Sequence, residues 1–228
     1  MKLITRMMAL LSFLIMVQYA NAASNNVYVD QIGDGSTINI TQTGNSNAVG
    51  SANTKATFNG NNNTVTVEQI GNSNVANLNI QGAGNTVSSQ VNGNSNSVEV
   101  SCGAGGGNCS GSTINNTITG DGNSVTQNSD GTTTSTVTID SNNNTVNINN
   151  TSTAAAGAKS AVDISGGGGN SVAITQAGAA GTNGHDASVT IVGATNTVDV
   201  KQGGSVDSKV VSTINGSGNT LNIKSNHN

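Results

Sequence analysis

The sequence predicts an all-β solenoid of stacked strand–turn–strand rungs, cross-β in its stacking and about eight rungs tall. Three observations predict it. A Gly-x-x-Asn turn recurs along the chain, spaced by eleven residues from Gly60 to Gly71, Gly82 and Gly93. After each turn, apolar and polar residues alternate with period two, which is a strand signal and not a helix signal. The composition has no Pro, 8% charged residues and 2% aromatics, and low charge without Pro is what cross-strand stacking favours.

The chain opens with an expected leader. Lys2 and Arg6 precede an apolar run from Met7 to Val17 that only Ser12 interrupts, and Ala20-Asn21-Ala22 follows. This pattern predicts a secretory signal peptide over residues 1–22, cleaved after Ala22. The run is shorter than the ~20 residues a bilayer span needs, so no stable membrane insertion is expected. Residues 23–228 then form one repeat domain, placed outside the cell. All eleven acidic residues follow the leader, with five Lys and no Arg, for a net charge of −6. Nucleic-acid binding needs a Lys/Arg footprint, so no nucleic-acid partner is expected.

The turns come next in the argument. They stand at Gly44–Asn47, Gly60–Asn63, Gly71–Asn74, Gly82–Asn85, Gly93–Asn96, Gly120–Asn123, Gly167–Asn170, Gly193–Asn196 and Gly216–Asn219, with Gly33–Ser36 and Ser141–Asn144 as variants. Gly and Asn tolerate positive φ, so each is a plausible tight reversal. The strands that follow share one register: Ser36-Ile38-Ile40-Gln42, Asn63-Val65-Val67-Gln69, Asn74-Ala76-Leu78-Ile80 and their later counterparts lie on a single face. Further strands begin with Ser or Ala, as in Ser112-x-Ile114, Ser135-x-Val137, Ser160-x-Val162, Ala187-x-Val189 and Ser208-x-Val210. Loop insertions are expected near residues 102–111, 151–159 and 177–186.

A rung of this kind cannot fold alone. Its inward face offers about four aliphatic side chains, each recovering ~1.5–3 kcal/mol, against ~1–2 kcal/mol of backbone entropy per ordered residue. Stacking at ~4.8 Å lets each strand bond to the rungs above and below. Stacking also satisfies inward amides, which are costly to bury unpaired but can bond to one another as ladders along the axis. The ladder candidates are Ser36, Gln42, Asn47, Asn63, Gln69, Asn74, Asn96, Asn170, Gln176, Asn196, Gln202 and Asn219. Neither end shows an obvious cap: Val27–Ile32 is strand-like, and Lys224 alone guards Leu221–Ile223. Open edges of this kind invite end-to-end growth.

Gln31-Ile32-Gly33-Asp34 and Gln69-Ile70-Gly71-Asn72-Ser73-Asn74 resemble the curlin repeat of curli subunits, the bacterial functional amyloids. That repeat reads approximately Ser-x5-Gln-x4-Asn-x5-Gln. Ser36, Gln42 and Asn47 fit its first three positions, and Gln69 and Asn74 fit the middle pair. The final Gln is replaced by Asn53 in one repeat and Ile80 in the next, with Gln81 one residue late. The resemblance implies export from a Gram-negative bacterium, passage through an outer-membrane curli-type pore, a nucleating partner subunit, and homopolymerisation into adhesive biofilm fibres at the cell surface.

Other chemistry is sparse. Cys102 and Cys109 flank a Gly-rich stretch, and in an exported chain they read as a disulfide stapling an insertion. Two Cys without a nearby His do not make a metal site. His185 and His227 read as solvated loop residues. No Ser/His/Asp arrangement, paired carboxylate or phosphate loop is visible, so neither enzymatic activity nor a cofactor is expected. Three functions remain open: a self-assembling curli-like fibre subunit; a monomeric β-solenoid acting as an adhesin or fibre segment; and an ice-binding solenoid, suggested by outward Thr64-x-Thr66 and Thr117-x-Thr119.

Overall fold

A computed structural model describes residues 16–20, 24–103, 109–152, 157–178 and 181–227, and these form strands and turns without a helix. In chain order the strands are β1 (Met16–Ala20), β2 (Asn26–Val27), β3 (Val29–Ile32), β4 (Thr37–Thr43), β5 (Ala48–Val49), β6 (Ala56–Asn59) and β7 (Thr64–Ile70). Then come β8 (Val75–Gln81), β9 (Thr86–Asn92), β10 (Ser97–Cys102), β11 (Thr113–Thr119), β12 (Ser124–Ser129), β13 (Thr133–Asp140) and β14 (Thr145–Ser152). The last six are β15 (Ala158–Ser165), β16 (Ser171–Gly178), β17 (Asp186–Val192), β18 (Thr197–Gly204), β19 (Lys209–Asn215) and β20 (Thr220–His227).

The chain coils, passing alternately through two sheets. The first sheet runs β1-β4-β7-β9-β11-β13-β15-β17-β19. The second runs β2-β5-β8-β10-β12-β14-β16-β18-β20, with β3 and β6 completing its first two levels. Neighbouring strands are parallel, as a coil requires, and in register: Val65 pairs with Ile38 and Val87, and Val146 with Val125 and Val172. Period-two alternation therefore lays one residue type along each column. Inward columns carry the expected aliphatics, among them Ile38, Val65 and Val87 in one sheet and Ala76, Val98 and Val125 in the other, all buried.

The turns explain their own sequence. The first Gly of the Gly-x-x-Asn turns, Gly167 excepted, has a large positive φ, 114° at Gly71. A Cβ there would overlap the carbonyl oxygen of Gly93 in the rung above, so Gly is required by stacking as well as by conformation. The third position also has positive φ, but a Cβ on Gly84 meets nothing within 4 Å. Ser46, Ser73, Ser95, Asn143 and Thr195 occupy that position in other turns.

Three features differ from the sequence expectation. The strand entering the second rung is split, because Gly50–Lys55 leave the sheet between β5 and β6. Asn53, aligned with the final Gln of the repeat, lies in this excursion. The matching interior place belongs to Phe58, paired with Ile80 in the next rung, and both are fully buried. Second, β1 comes from the expected leader and pairs with β4, from Met16↔Asn39 to Ala20↔Thr43. The rest of that leader, with the cleavage site after Ala22, lies outside the described residues. Third, His185 is buried, not solvated. Parts of the three expected insertions, residues 104–108, 153–156 and 179–180, also lie outside the described residues, as does the side chain of His227. Among the described residues no helix is long and apolar enough to cross a membrane.

Candidate functional site

The polar interior is built from two corner columns and two glutamine pairs. At the corner leading into the second sheet, Asn stands at every level: 25, 47, 74, 96, 123, 144, 170, 196 and 219. One set of bonds repeats. The Oδ1 of Asn47 accepts the backbone N–H of Asn74 at 3.0 Å and its Nδ2 at 3.1 Å. The Nδ2 of Asn47 also donates to Gly71 O at 2.8 Å, the first carbonyl of the next turn. Asn74 treats Asn96 and Gly93 in the same way. Asn96 does so for the backbone of Asn123 and for Gly120. The pattern continues through Asn144, Asn170 and Asn196 to Asn219. Asn47, Asn74, Asn144, Asn170 and Asn196 thus place both donors and both acceptor sites of their amides, and the column has a direction: Oδ1 faces the C-terminal end.

The opposite corner holds Ser36, Asn63, Asn85, Ser112, Thr133, Ala158, His185 and Ser208 in succession. Asn85 donates to Asn63 Oδ1 through its backbone and its amide, both at 3.0 Å. Hydroxyls then take over as acceptors, with Thr133 N–H donating to Ser112 Oγ at 3.0 Å. Ala158 ends the sequence of side-chain acceptors. At His185, Nε2 lies 3.1 Å from Ala177 O and Nδ1 lies 2.9 Å from Ser208 Oγ. A carbonyl only accepts, so Nε2 donates to Ala177 O, and the ring bridges Ala177 and Ser208 from its two nitrogens.

Gln42 donates to Gln69 Oε1 at 2.8 Å in the first sheet. Gln176 donates to Gln202 Oε1 at 2.8 Å in the second. Each Nε2 also reaches a carbonyl at the start of the facing strand: Asn26, Ala48, Lys159 and Asp186 in turn. All twelve ladder candidates lie at inward register positions, and eleven are buried; Asn219, at the end of the stack, is exposed. Asn25, Asn85, Asn123 and Asn144 belong to the columns as well; for the last three, their place in the turn repeat was the available signal, while Asn25 follows Ala-Ala-Ser and carries none. The core cluster of Asn116, Gln127 and Ser135 was not foreseen. Asn116 Nδ2 donates to Gln127 Oε1 at 3.1 Å, and Gln127 Nε2 donates to Ser135 Oγ at 2.7 Å. Cys102 and Cys109 are joined as a buried disulfide at the same corner.

The two ends of the stack are unlike. At the C-terminal end β19 and β20 have no further strand among the described residues, and Leu221 and Ile223 are left half-buried. At the N-terminal end β1 covers the edge of β4, while β2 and β3 stay open. There the amide nitrogen of Asn25 and the amide oxygen of Gln31 are buried without a hydrogen-bond partner. Comparison with known protein families, curated proteins and solved structures finds no match for this chain.

Proposed function

We propose that the protein is a secreted, non-enzymatic structural subunit that self-assembles into extracellular, curli-like amyloid fibres serving adhesion and the biofilm matrix. The observation that carries this reading is the open end formed by β19 and β20. It exposes a row of unpaired backbone groups beside half-buried Leu221 and Ile223, with neither Pro nor a covering element against it among the described residues. Monomeric sheet proteins usually blunt such edges. The in-register parallel columns support the same reading, since a second copy would extend a pattern that already repeats within one chain. A nucleating subunit and an outer-membrane pore are the partners the curlin resemblance adds. Purified residues 23–228 should form thioflavin-positive fibrils with a meridional reflection at ~4.8 Å. A sample that stays monomeric for days at high concentration would overturn the proposal in favour of a monomeric solenoid adhesin or fibre segment.

One observation favours a second reading. Thr37, Thr64, Thr86, Thr113 and Thr134 occupy one outward column on five successive levels. A flat hydroxyl row of this kind fits the ice-binding alternative, and thermal hysteresis of the monomer would test it.

A further inference from the structure

Resting on the fibre reading above, we propose that copies join head to tail in one register, with Asn25–Ile32 of one copy seated on Asn219–Asn226 of the next. We also assign Met16–Ala20 the strand place that this junction leaves in the other sheet.

The hydrogen-bond direction sets the first part. Within the chain, each column Asn offers Oδ1 to the N–H and Nδ2 of the next Asn. The residue after it donates its N–H to the next Asn carbonyl, as Asn26 does to Asn47 O and Thr197 to Asn219 O. At the C-terminal end, Asn219 Oδ1 and the Thr220 N–H are the members of this pattern with no successor. At the N-terminal end the complementary members are the N–H and O of Asn25 and its Nδ2, which is buried and unpaired. The two sets match donor to acceptor. A buried amide without a partner is destabilising, and this junction would supply one.

The side chains agree with that register. Carried through the sheet pairings, it sets Val27 on Leu221 and Val29 on Ile223. These four residues are the partly buried hydrophobics packed against the core. It also sets Asp30 in the column of Lys201 and Lys224, which stack on each other at the C-terminal end. Lys201 is bridged by Asp199 at 2.6 Å and Asp30 by Lys55 at 2.9 Å, so the new neighbour this register gives Asp30 is Lys224, an opposite charge directly across the strands.

Strand counting sets the second part. Without β1, the first sheet has eight strands against nine levels in the second, because the described chain both enters and leaves through the second sheet. Two such copies stacked in register leave one empty place between β19 of one and β4 of the next. β1 is the strand that stands there, since it pairs with β4 and immediately precedes β2. A chain that keeps Met16–Ala20 closes the junction in both sheets, and a chain that has lost them closes it in one.

Cysteine pairs would test both parts. Neighbouring parallel strands put Cα atoms ~4.8 Å apart, within the range a disulfide spans. Mixed fibres of Asn26→Cys and Thr220→Cys chains should give covalent dimers on oxidation, in the full chain and in residues 23–228. Asn26→Cys mixed with Lys224→Cys, four residues out of register, should give none. In the full chain only, Ala20→Cys mixed with Asn215→Cys should also link. Fibres without the Asn26–Thr220 link would overturn the junction while leaving the fibre reading intact. A full chain linked there but not between Ala20 and Asn215 would overturn the place given to Met16–Ala20. A chain that makes no fibres overturns both readings.

Discussion

The two corners of the coil solve the same problem differently. Where the chain passes into the second sheet, Asn occupies every level, and the connection from β4 onward is four residues, once five. Where it passes back, the column runs Ser, Asn, Asn, Ser, Thr, Ala, His, Ser, and the connections vary from three residues to ten. The disulfide and all three insertions fall on this second corner. The difference has a mechanical cause. A column Asn bonds the next Asn and also the first carbonyl of the next turn, so it fixes both the position and the length of that turn. Of the side chains that replace it, Ser36 still reaches Gly60 O at 3.3 Å, but among the described residues Ala158 and His185 make no such bond to the next turn, and this corner tolerates extra residues.

Changing turn length should expose the contrast most strongly. Inserting Gly-Ser between Asn72 and Ser73 displaces Asn74 from both neighbours. With ~1–3 kcal/mol for each buried group left unpaired, the loss should exceed ~4 kcal/mol. The same insertion between Ser205 and Val206 adds only loop entropy and should cost under ~1 kcal/mol. Urea unfolding of the monomer measures both, and equal losses would remove the distinction between the corners. Next in size is the turn glycine. Gly71→Ala combines a strained φ with backbone overlap and should cost about 3 kcal/mol or more, whereas Gly84→Ala, with open space around it, should cost about 1 kcal/mol from φ alone. A smaller contrast follows for the columns. Asn74→Ala strips partners from the Asn96 backbone, the Asn47 amide and Gly93 O, for about 2–3 kcal/mol, while Ser112→Ala mainly strands the Thr133 N–H, for about 1 kcal/mol.

The regular corner was the legible one. Its residues repeat at one place in the turn, so period and register together identify Asn47, Asn74, Asn96, Asn170, Asn196 and Asn219. The inward aliphatics were legible for the same reason: in a parallel coil one alternation serves every rung. What could not be read is specific to single levels. The excursion at Gly50–Lys55 has no counterpart in the repeat, so it hid Phe58 as the partner of Ile80. His185 follows a Gly-rich stretch that looks solvated, and its burial depends on Ala177 and Ser208, which belong to the rungs on either side. The pairing of β1 with β4 was hidden by the leader pattern of the same residues, because an apolar run that suits export also suits an open sheet edge.

The smallest expected effect separates a turn held by a carboxylate from residues held by amides. The regular corner has such a carboxylate too, Asp121, whose Oδ1 accepts the Asn94 N–H, but Asn74 and Asn96 bond to asparagine amides. The turn at Asn183–Gly184, on the variable side, is held by Asp207. Its carboxylate accepts the Asn183 N–H and Nδ2, each at 3.0 Å, and the Gly184 N–H at 3.0 Å. These donors, the Asn183 backbone foremost, hold the Asp207 pKa below the usual aspartate value. The charged form is therefore favoured in the folded chain. Its contribution is present above the ordinary aspartate value of ~3.9 and fades as pH falls below that, through the lowered folded pKa. The asparagine amides of the regular corner do not titrate. Corrected for intrinsic rates, hydrogen exchange at Asn183 and Gly184 should accelerate on acidification through this range, while Asn74 and Asn96 keep their protection. Asp207→Asn should abolish that local pH response, because an amide supplies one acceptor oxygen at every pH. Parallel acceleration at all four residues would instead place the acid sensitivity in the coil as a whole and remove the Asp207 carboxylate as its source.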